Sequence, residues 1–159
     1  MTGRPAARRR SPGSLTDQDY RDILVFRDHL RRFLAWSEDQ ARAAGLTPAQ
    51  HQLLLAVRGH PGPGRPTVGD VAEHLRLRHH SAVGLVDRAE AAGLVRRIAD
   101  PDDRRVVRIA LRPAGRAALA HLTALHLTEL AVLADASRAF ATVTPDDPAP
   151  ARPGSRVTR

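Results

Sequence analysis

Apolar residues recur at helical spacing through the first third of the chain. Between residues 15 and 44 they predict one long amphipathic helix, closed by Gly45, with a stripe at Tyr20, Ile23, Leu24, Leu30, Phe33 and Leu34. Thr47 and Pro48 fit the cap and the first position of a second helix. Its apolar side chains are Leu53, Leu54 and Val57, and the Gly- and Pro-rich loop 59–64 ends it.

Two shorter helices and a hairpin are predicted next. Thr67 fits an N-cap, and the apolar spacing after it predicts a helix of about three turns. After a turn at 76–78, residues 79–92 repeat that spacing at Ala82, Leu85, Val86 and Ala89, and Gly93 ends the helix. The β-branched runs 94–98 and 106–111 flank an Asp-rich segment, so they predict a hairpin with a basic tip.

The last predicted helix begins at Pro113 and ends near Leu133. Its apolar residues are spread around most of its circumference and include Leu119, Leu122, Leu125, Leu127, Leu130 and Leu133. A helix of this kind must be covered on more than one side. One chain of 159 residues has little material for that, so we expect a second chain to supply the cover.

The composition indicates one globular domain with a polyanionic partner. The 25 basic residues are all Arg, and with 17 acidic residues they give a net charge of +8. The surplus lies in residues 1–14, which carry four Arg and no acid, and in residues 65–112, which carry ten Arg and seven acids. Residues 1–14 and 141–159 have the composition of disordered tails.

Several kinds of protein are disfavoured by what the sequence lacks. Without Cys there is no disulfide, thiolate metal site or Cys nucleophile. The basic N-terminus has no apolar signal segment behind it, and no run approaches the roughly 18 apolar residues that span a bilayer. We therefore expect a cytoplasmic protein with no membrane partner.

Two short helices joined by a tight turn and followed by a hairpin form a winged helix-turn-helix. Residues 20–133 resemble the MarR family of bacterial transcription regulators, most specifically in LVDRAEAAGLVRR at 85–97, DPDDRR at 100–105 and IALRPAG at 109–115. The resemblance implies a mainly α (α+β) fold, with a DNA-binding domain at 46–112 whose wing spans about 96–108. It also implies dimerisation helices at 15–45 and 113–140, and a homodimer that binds double-stranded DNA at a palindromic operator, as a repressor.

The candidate DNA-binding residues lie at the start of the fourth helix and in the wing. A helix N-terminus attracts phosphate, and the exposed face of the helix fits the major groove. In the wing, an Arg can enter the minor groove while Asp103 braces it. The family resemblance implies that one Arg pairs with the domain and a following one enters the groove, and Arg104 and Arg105 each fit either role. The candidates are Arg76, Arg78, His79, His80, Ser81, Val83, Gly84, Arg88, Arg104 and Arg105.

Two departures from the family pattern are visible. Many members have Gly in the turn and Ser or Thr at the cap of the fourth helix, where this chain has Arg76 and Arg78. Members usually end with a further helix, for which only residues 135–143 remain. Asp87 and Arg88 also have an alternative role as a structural ion pair, which is favoured for Asp87 because an acid facing DNA is unfavourable.

The resemblance also implies a cleft for a small aromatic or anionic effector. Phe33, Trp36, His51 and Leu54 lie on the helices that would border it, although plain core packing explains them equally well. We expect no metal or other cofactor, because His121 and His126 are five residues apart and so do not stack on one helical face. The Asp-rich segment 100–103 fits a hairpin turn better than a Mg²⁺ site.

Two other functions compete with a regulator. One is an architectural or ligand-insensitive DNA-binding protein. The other is an enzyme, which is disfavoured because no nucleophile, base and orienting group can be assembled from these residues.

Overall fold

The computed structural model describes residues 12–141 and the side chains of residues 13–134. The predicted disordered tails therefore lie outside the described residues, apart from a short 3₁₀ turn at Pro12–Ser14 and the last helical residue, Ala141. The helices and strands are α1 (Asp17–Ala43), α2 (Pro48–Arg58), α3 (Val68–Leu75), α4 (His79–Ala91), β1 (Val95–Ala99), β2 (Val107–Leu111) and α5 (Pro113–Ala141).

Three of the helices begin at a capping box. The hydroxyls of Thr16, Thr47 and Thr67 each accept the backbone N–H three residues on, and a side chain at that position bonds back to the cap. The predicted caps at Thr47 and Thr67 are confirmed. Gly45 and Gly93 have φ values of 76° and 72°, which any other residue would adopt only with strain.

The hairpin is antiparallel and belongs to the core of the winged helix. Val95 pairs with Leu111 and Arg97 pairs with Ile109. On its other edge β2 receives the segment before α3, where the Ile109 N–H donates to the Pro66 carbonyl at 2.7 Å. This connection holds the hairpin against the helix-turn-helix.

The hydrophobic core lies between α2, α3, α4, the hairpin and the first turns of α5. The predicted inner face of α4 is buried, as are Leu53, Leu54, Val71, Val95, Ile109 and Leu122. Where the first turn of α5 meets Leu94, the residue before β1, only glycine fits, because a Cβ on Gly115 would lie 2.2 Å from the Leu94 carbonyl oxygen. The mainly α winged-helix fold is confirmed.

The two long helices pack on each other but bury little of their own surface. In α1 only Ser37 and Ala41 are buried. The predicted apolar stripe stays exposed, with Tyr20 61% and Leu24 56% accessible. In α5, Leu119 and Leu122 enter the core, but Leu127, Leu130 and Val132 do not.

Two expectations about α5 are wrong. The helix does not end near Leu133 but continues to Ala141, since no Gly or Pro after Gly115 interrupts it.

The second expectation concerned membrane spans. The α5 segment Pro113–Ala134 is long and apolar enough to cross a membrane, with a mean hydropathy of 1.5. Length and composition alone do not separate a membrane span from a helix covered by protein, and Leu119 and Leu122 already lie in the core of the winged helix.

Candidate nucleic-acid interface

The start of α4 differs from those of α1, α2 and α3 because no side chain caps it. Arg78 occupies the N-cap position with no side-chain hydrogen bond to the backbone, and the exposed His79 and His80 follow it. Arg76 ends α3 in the left-handed conformation, with φ 52°. The first backbone N–H groups of α4 and two exposed arginines therefore lie together, which suits an anion.

The exposed side of α4 presents a polar and small-residue surface. Ser81, Val83 and Gly84 are half-buried, and Arg88 is exposed. The Arg88 guanidinium lies back over Gly84, where a Cβ would be 3.4 Å from one of its nitrogens. A side chain at position 84 would therefore meet this guanidinium.

Asp87 forms the structural ion pair that the sequence analysis favoured for it, but its partner is not Arg88. The Arg97 guanidinium, on β1, donates to Asp87 and to Glu90, both at 2.6 Å. The Arg97 backbone N–H also donates to Glu90 at 2.9 Å. These three bonds fix the hairpin to the last turns of α4. Among the described side chains Arg88 forms no ion pair.

A carboxylate organises the hairpin turn. Buried Asp100 accepts the backbone N–H groups of Asp102 and Asp103 at 2.8 and 3.0 Å and pairs with the Arg108 guanidinium. Arg108 also donates to the Arg65 carbonyl at 2.5 Å, which connects the turn to the segment before α3. These bonds give the Asp-rich segment the structural role that was expected for a hairpin turn.

The two tip arginines have different surroundings. Asp103 accepts both the Nε–H and an Nη–H of Arg105 at 3.1 Å, while the Arg105 side chain is 91% exposed. Arg104 is exposed and pairs with none of the described side chains. The bracing expected of Asp103 therefore acts on Arg105.

The carboxylates that shape this surface stay ionised to lower pH than usual. The Arg108 guanidinium, with two backbone N–H groups, lowers the pKa of Asp100. The Arg105 side chain lowers the pKa of Asp103, and the backbone N–H and guanidinium of Arg97 lower that of Glu90. The wing and its connection to α4 therefore keep their ion pairs at neutral pH.

Three of the four residues predicted to border an effector cleft lie around His126. The His126 ring lies 4.9 Å from the rings of Trp36 and His51 and 5.9 Å from that of Phe33, measured between centroids. Leu54 is not among these ring contacts and is fully buried in the core.

Hydrogen bonds fix the tautomer of His126. Its Nδ1 lies 2.6 Å from the Leu122 carbonyl, which can only accept, so this nitrogen carries the proton. The Nε2 atom lies 2.7 Å from the Ser37 hydroxyl, whose proton it accepts when the ring is neutral. His126 thus contacts the ring of buried His51, and no three His, Asp or Glu within the described range come close enough to hold a metal ion.

The sequence analysis missed Arg97 and Arg108. In the sequence both are simply members of a basic run. Their partners, on α4 for Arg97 and in the hairpin turn and the loop 59–66 for Arg108, come close only once the hairpin has folded. The alternation along β1 was the available signal, since it turns Arg96 and Arg97 to opposite faces.

Comparison with known proteins agrees with this arrangement. The sequence profile of the MarR family matches residues 44–106. An uncharacterized HTH-type transcriptional regulator of Bacillus subtilis, YsmB, is 42% identical over 52 residues, which cover 33% of this chain. The match spans only 36% of YsmB.

Solved structures share the fold over most of the chain. The MarR family transcription regulator SP03579 superposes with a TM-score of 0.65 and 24% identity, covering 80% of this chain and 85% of that one. A mutant of MepR from S. aureus, bound to an oligodeoxyribonucleotide, superposes with a TM-score of 0.52 and 16% identity. The match covers 83% of this chain and 87% of that one. The winged helix at residues 44–106 is thus similar in sequence to the MarR family, and the surrounding chain shares its fold with solved members.

Proposed function

We propose that the protein is a cytoplasmic, homodimeric transcription regulator that binds a palindromic DNA operator and represses by occupying it. The observation that carries this proposal is the uncapped start of α4, which directly follows the exposed Arg76 and Arg78 in a helix fixed to a basic wing. A duplex supplies the phosphates that such a helix start binds, and the structural neighbour MepR is bound to DNA.

The candidate residues divide into three roles. Arg76, Arg78 and the N-terminal turn of α4 contact phosphates and set the register on the duplex. His80 and Arg88 project from the exposed part of α4 and contact base edges in the major groove. Arg105, held by Asp103, enters the minor groove, and Arg104 contacts the backbone beside it.

The dimer is supported by the apolar surface that the single chain leaves open. Exposed side chains on α1 and α5 form two stretches, with Ile23, Leu24, Leu30 and Leu34 on one helix and Leu127, Leu130 and Val132 on the other. Pairing these faces about a two-fold axis buries both copies of each stretch in one interface. The same axis presents two α4 helices to one duplex.

An effector site is proposed at the aromatic cluster of Phe33, Trp36, His51 and His126. The cluster joins α1, α2 and α5, so a small aromatic or anionic molecule inserted there would change how the winged helix sits on the long helices. Trp36 is the chain's only Trp, and its fluorescence would report such binding directly.

Selection of binding sites from a random pool of duplexes tests the DNA-binding proposal. We expect the parent chain to enrich an inverted repeat whose half-sites are about 10 bp apart, one turn of the duplex. His80→Ala and Arg88→Ala should each change the preferred bases, at about 1–3 kcal/mol for each base contact that the variant removes.

Three results would contradict parts of the proposal. Recovery without sequence preference favours an architectural DNA-binding protein, and no recovery removes DNA as the partner. If both variants return the parental motif with undiminished base preference, α4 contacts only the backbone.

A further inference from the structure

A cleft of about 250 Å³ lies behind the wing, and none of the proposed DNA contacts uses it. Its walls come from the end of α2, the loop 59–66, both strands and the first turn of α5. Four Arg and one His line it, namely Arg58, Arg65, Arg96, Arg116 and His60, over a floor of buried apolar residues from α2 and β2. Among the side chains of residues 13–134, no acidic one lines the cleft.

The positive charges around the cleft are not neutralised by the protein. Arg116 donates to the Leu111 carbonyl at 2.7 Å, which leaves the rest of its guanidinium available. Among the side chains of residues 13–134, Arg58, Arg65 and Arg96 form no ion pair. The nearby acids have other partners, since Asp70 caps α3 through Thr67 and Asp100 pairs with Arg108.

The cleft and α4 lie on opposite faces of the hairpin. Arg97 turns toward α4, where it pairs with Asp87 and Glu90. Arg96 is its neighbour on the same strand and therefore points to the other face, beside its cross-strand partner Ala110. A duplex read by α4 approaches the hairpin from the Arg97 side, so the cleft faces away from it.

We propose that this cleft binds a small phosphorylated molecule. The positive charge of four arginines exceeds what a monocarboxylate neutralises but matches a phosphate ester or a pyrophosphate group. Arg presents a planar fork of N–H donors that fits two oxygens of such a group, and the volume admits a small molecule rather than a duplex. The occupant would join the wing, through Arg96, to α5, through Arg116.

Isothermal titration calorimetry with inorganic pyrophosphate tests this inference without DNA. We expect one site per chain, at an ionic strength held constant with sodium chloride. Arg58→Gln combined with Arg96→Gln should weaken binding at least about tenfold, because the variant removes two charge-assisted hydrogen-bond donors. Both side chains are exposed and lie outside the core, so the fold should persist, as circular dichroism and thermal melting would verify.

The matched control combines Arg21→Gln with Arg32→Gln, two exposed arginines of α1 that carry the same total charge. It should bind pyrophosphate as the parent does. Absence of binding to the parent, or equal weakening in both double variants, would overturn the proposal.

DNA binding by the same variants separates a free phosphate from a duplex phosphate. With the cleft assigned to a small molecule, Arg58→Gln with Arg96→Gln should leave the salt dependence of DNA binding unchanged. A lower salt slope together with no pyrophosphate binding would mean that these arginines contact the DNA backbone, and the small-molecule site would be wrong.

Discussion

The winged helix and the long helices differ in how far they bury their apolar side chains. In the winged helix, Leu53, Leu54, Val86 and Ile109 are buried within a single chain. Along α1 and the second half of α5, residues of the same type are exposed, although the helices themselves are long and regular. The winged helix thus buries its apolar residues within one chain, whereas the long helices leave theirs exposed.

The same contrast separates what stabilises each region. Capping boxes, the Gly115 crossing and the Arg97 and Arg108 bonds all stabilise the winged helix from within. The first half of α1 has mainly pairs along its own surface, such as Arg31 with Asp28, which contribute little in solvent. In the proposed dimer, association would supply the long helices with the contacts that the winged helix makes within one chain.

The largest expected effect comes from placing charges on the exposed apolar faces. Leu24→Asp with Leu127→Asp should produce folded monomers, because neither side chain belongs to the core of the chain. Operator affinity should fall by about 10²–10⁴, the gain that joining two binding modules provides. Sedimentation velocity and fluorescence anisotropy measure the two effects.

Leu55→Asp is the matched control, since Leu55 is an exposed Leu of α2 in the winged helix. It should leave the dimer intact. Leu122 is unsuitable for this test because it is fully buried within the chain, where a charge would unfold the protein.

The second expected effect concerns the wing. Arg104→Ala with Arg105→Ala should weaken binding to all duplexes and reduce the salt slope by about 1 for each phosphate that an arginine no longer neutralises. We expect the wing to supply affinity rather than base choice, because the minor groove presents a degenerate pattern. Unchanged affinity and salt slope in anisotropy titrations would remove the wing from the interface.

The third expected effect is a gain in stability and a loss of DNA affinity from one substitution at the start of α4. Arg78→Ser supplies the missing cap and removes a positive charge from the helix N-terminus, so the free energy of unfolding should rise by about 0.5–1 kcal/mol. DNA affinity should fall at the same time, because serine cannot form the ion pair with phosphate that we propose for Arg78. Urea denaturation and anisotropy give the two values.

Thr67→Ala provides the comparison for this variant. It removes an existing capping box from α3 and should cost about 1 kcal/mol. If Arg78→Ser instead lowered stability, Arg78 would contribute to the fold in a way that the uncapped helix start does not explain.

The smallest expected effect is a pH dependence from His51. Burial, and then the charge of His126, lower the pKa of His51 below its usual 6.5, so the unfolded chain binds this proton more readily than the folded one. Stability should therefore decline as the pH falls below about 6.5 and level off at the folded pKa. His51→Gln should reduce the difference in Tm between about pH 7.5 and about pH 5.5, whereas His121→Gln, at an exposed residue, should not.

Local patterns predicted the helices and the hairpin well, for physical reasons that act within a few residues. Thr47 with Pro48, and Thr67 three residues before Asp70, fix helix starts through their own hydrogen bonds. The end of α5 was placed too early because the apolar pattern was followed only to Leu133, although no Gly or Pro ends the helix there. Helix ends without Gly or Pro are set by tertiary context rather than by local sequence.

The site was only partly predictable, because its geometry depends on residues far apart in the chain. The exposed start of α4 and the tip arginines follow from local periodicity. Arg97 with Asp87 depends on how β1 returns along α4, and the basic cleft joins four arginines between positions 58 and 116. Charge counting placed a surplus in this region but could not distinguish paired from unpaired arginines.

Sedimentation velocity of the parent protein at micromolar concentration, alone and with a selected duplex, tests most directly whether the open faces of α1 and α5 join two winged helices. We expect a dimer of twice the 17.3 kDa chain mass, and two chains on one duplex. A 17.3 kDa monomer that still binds a single half-site tightly would contradict this account.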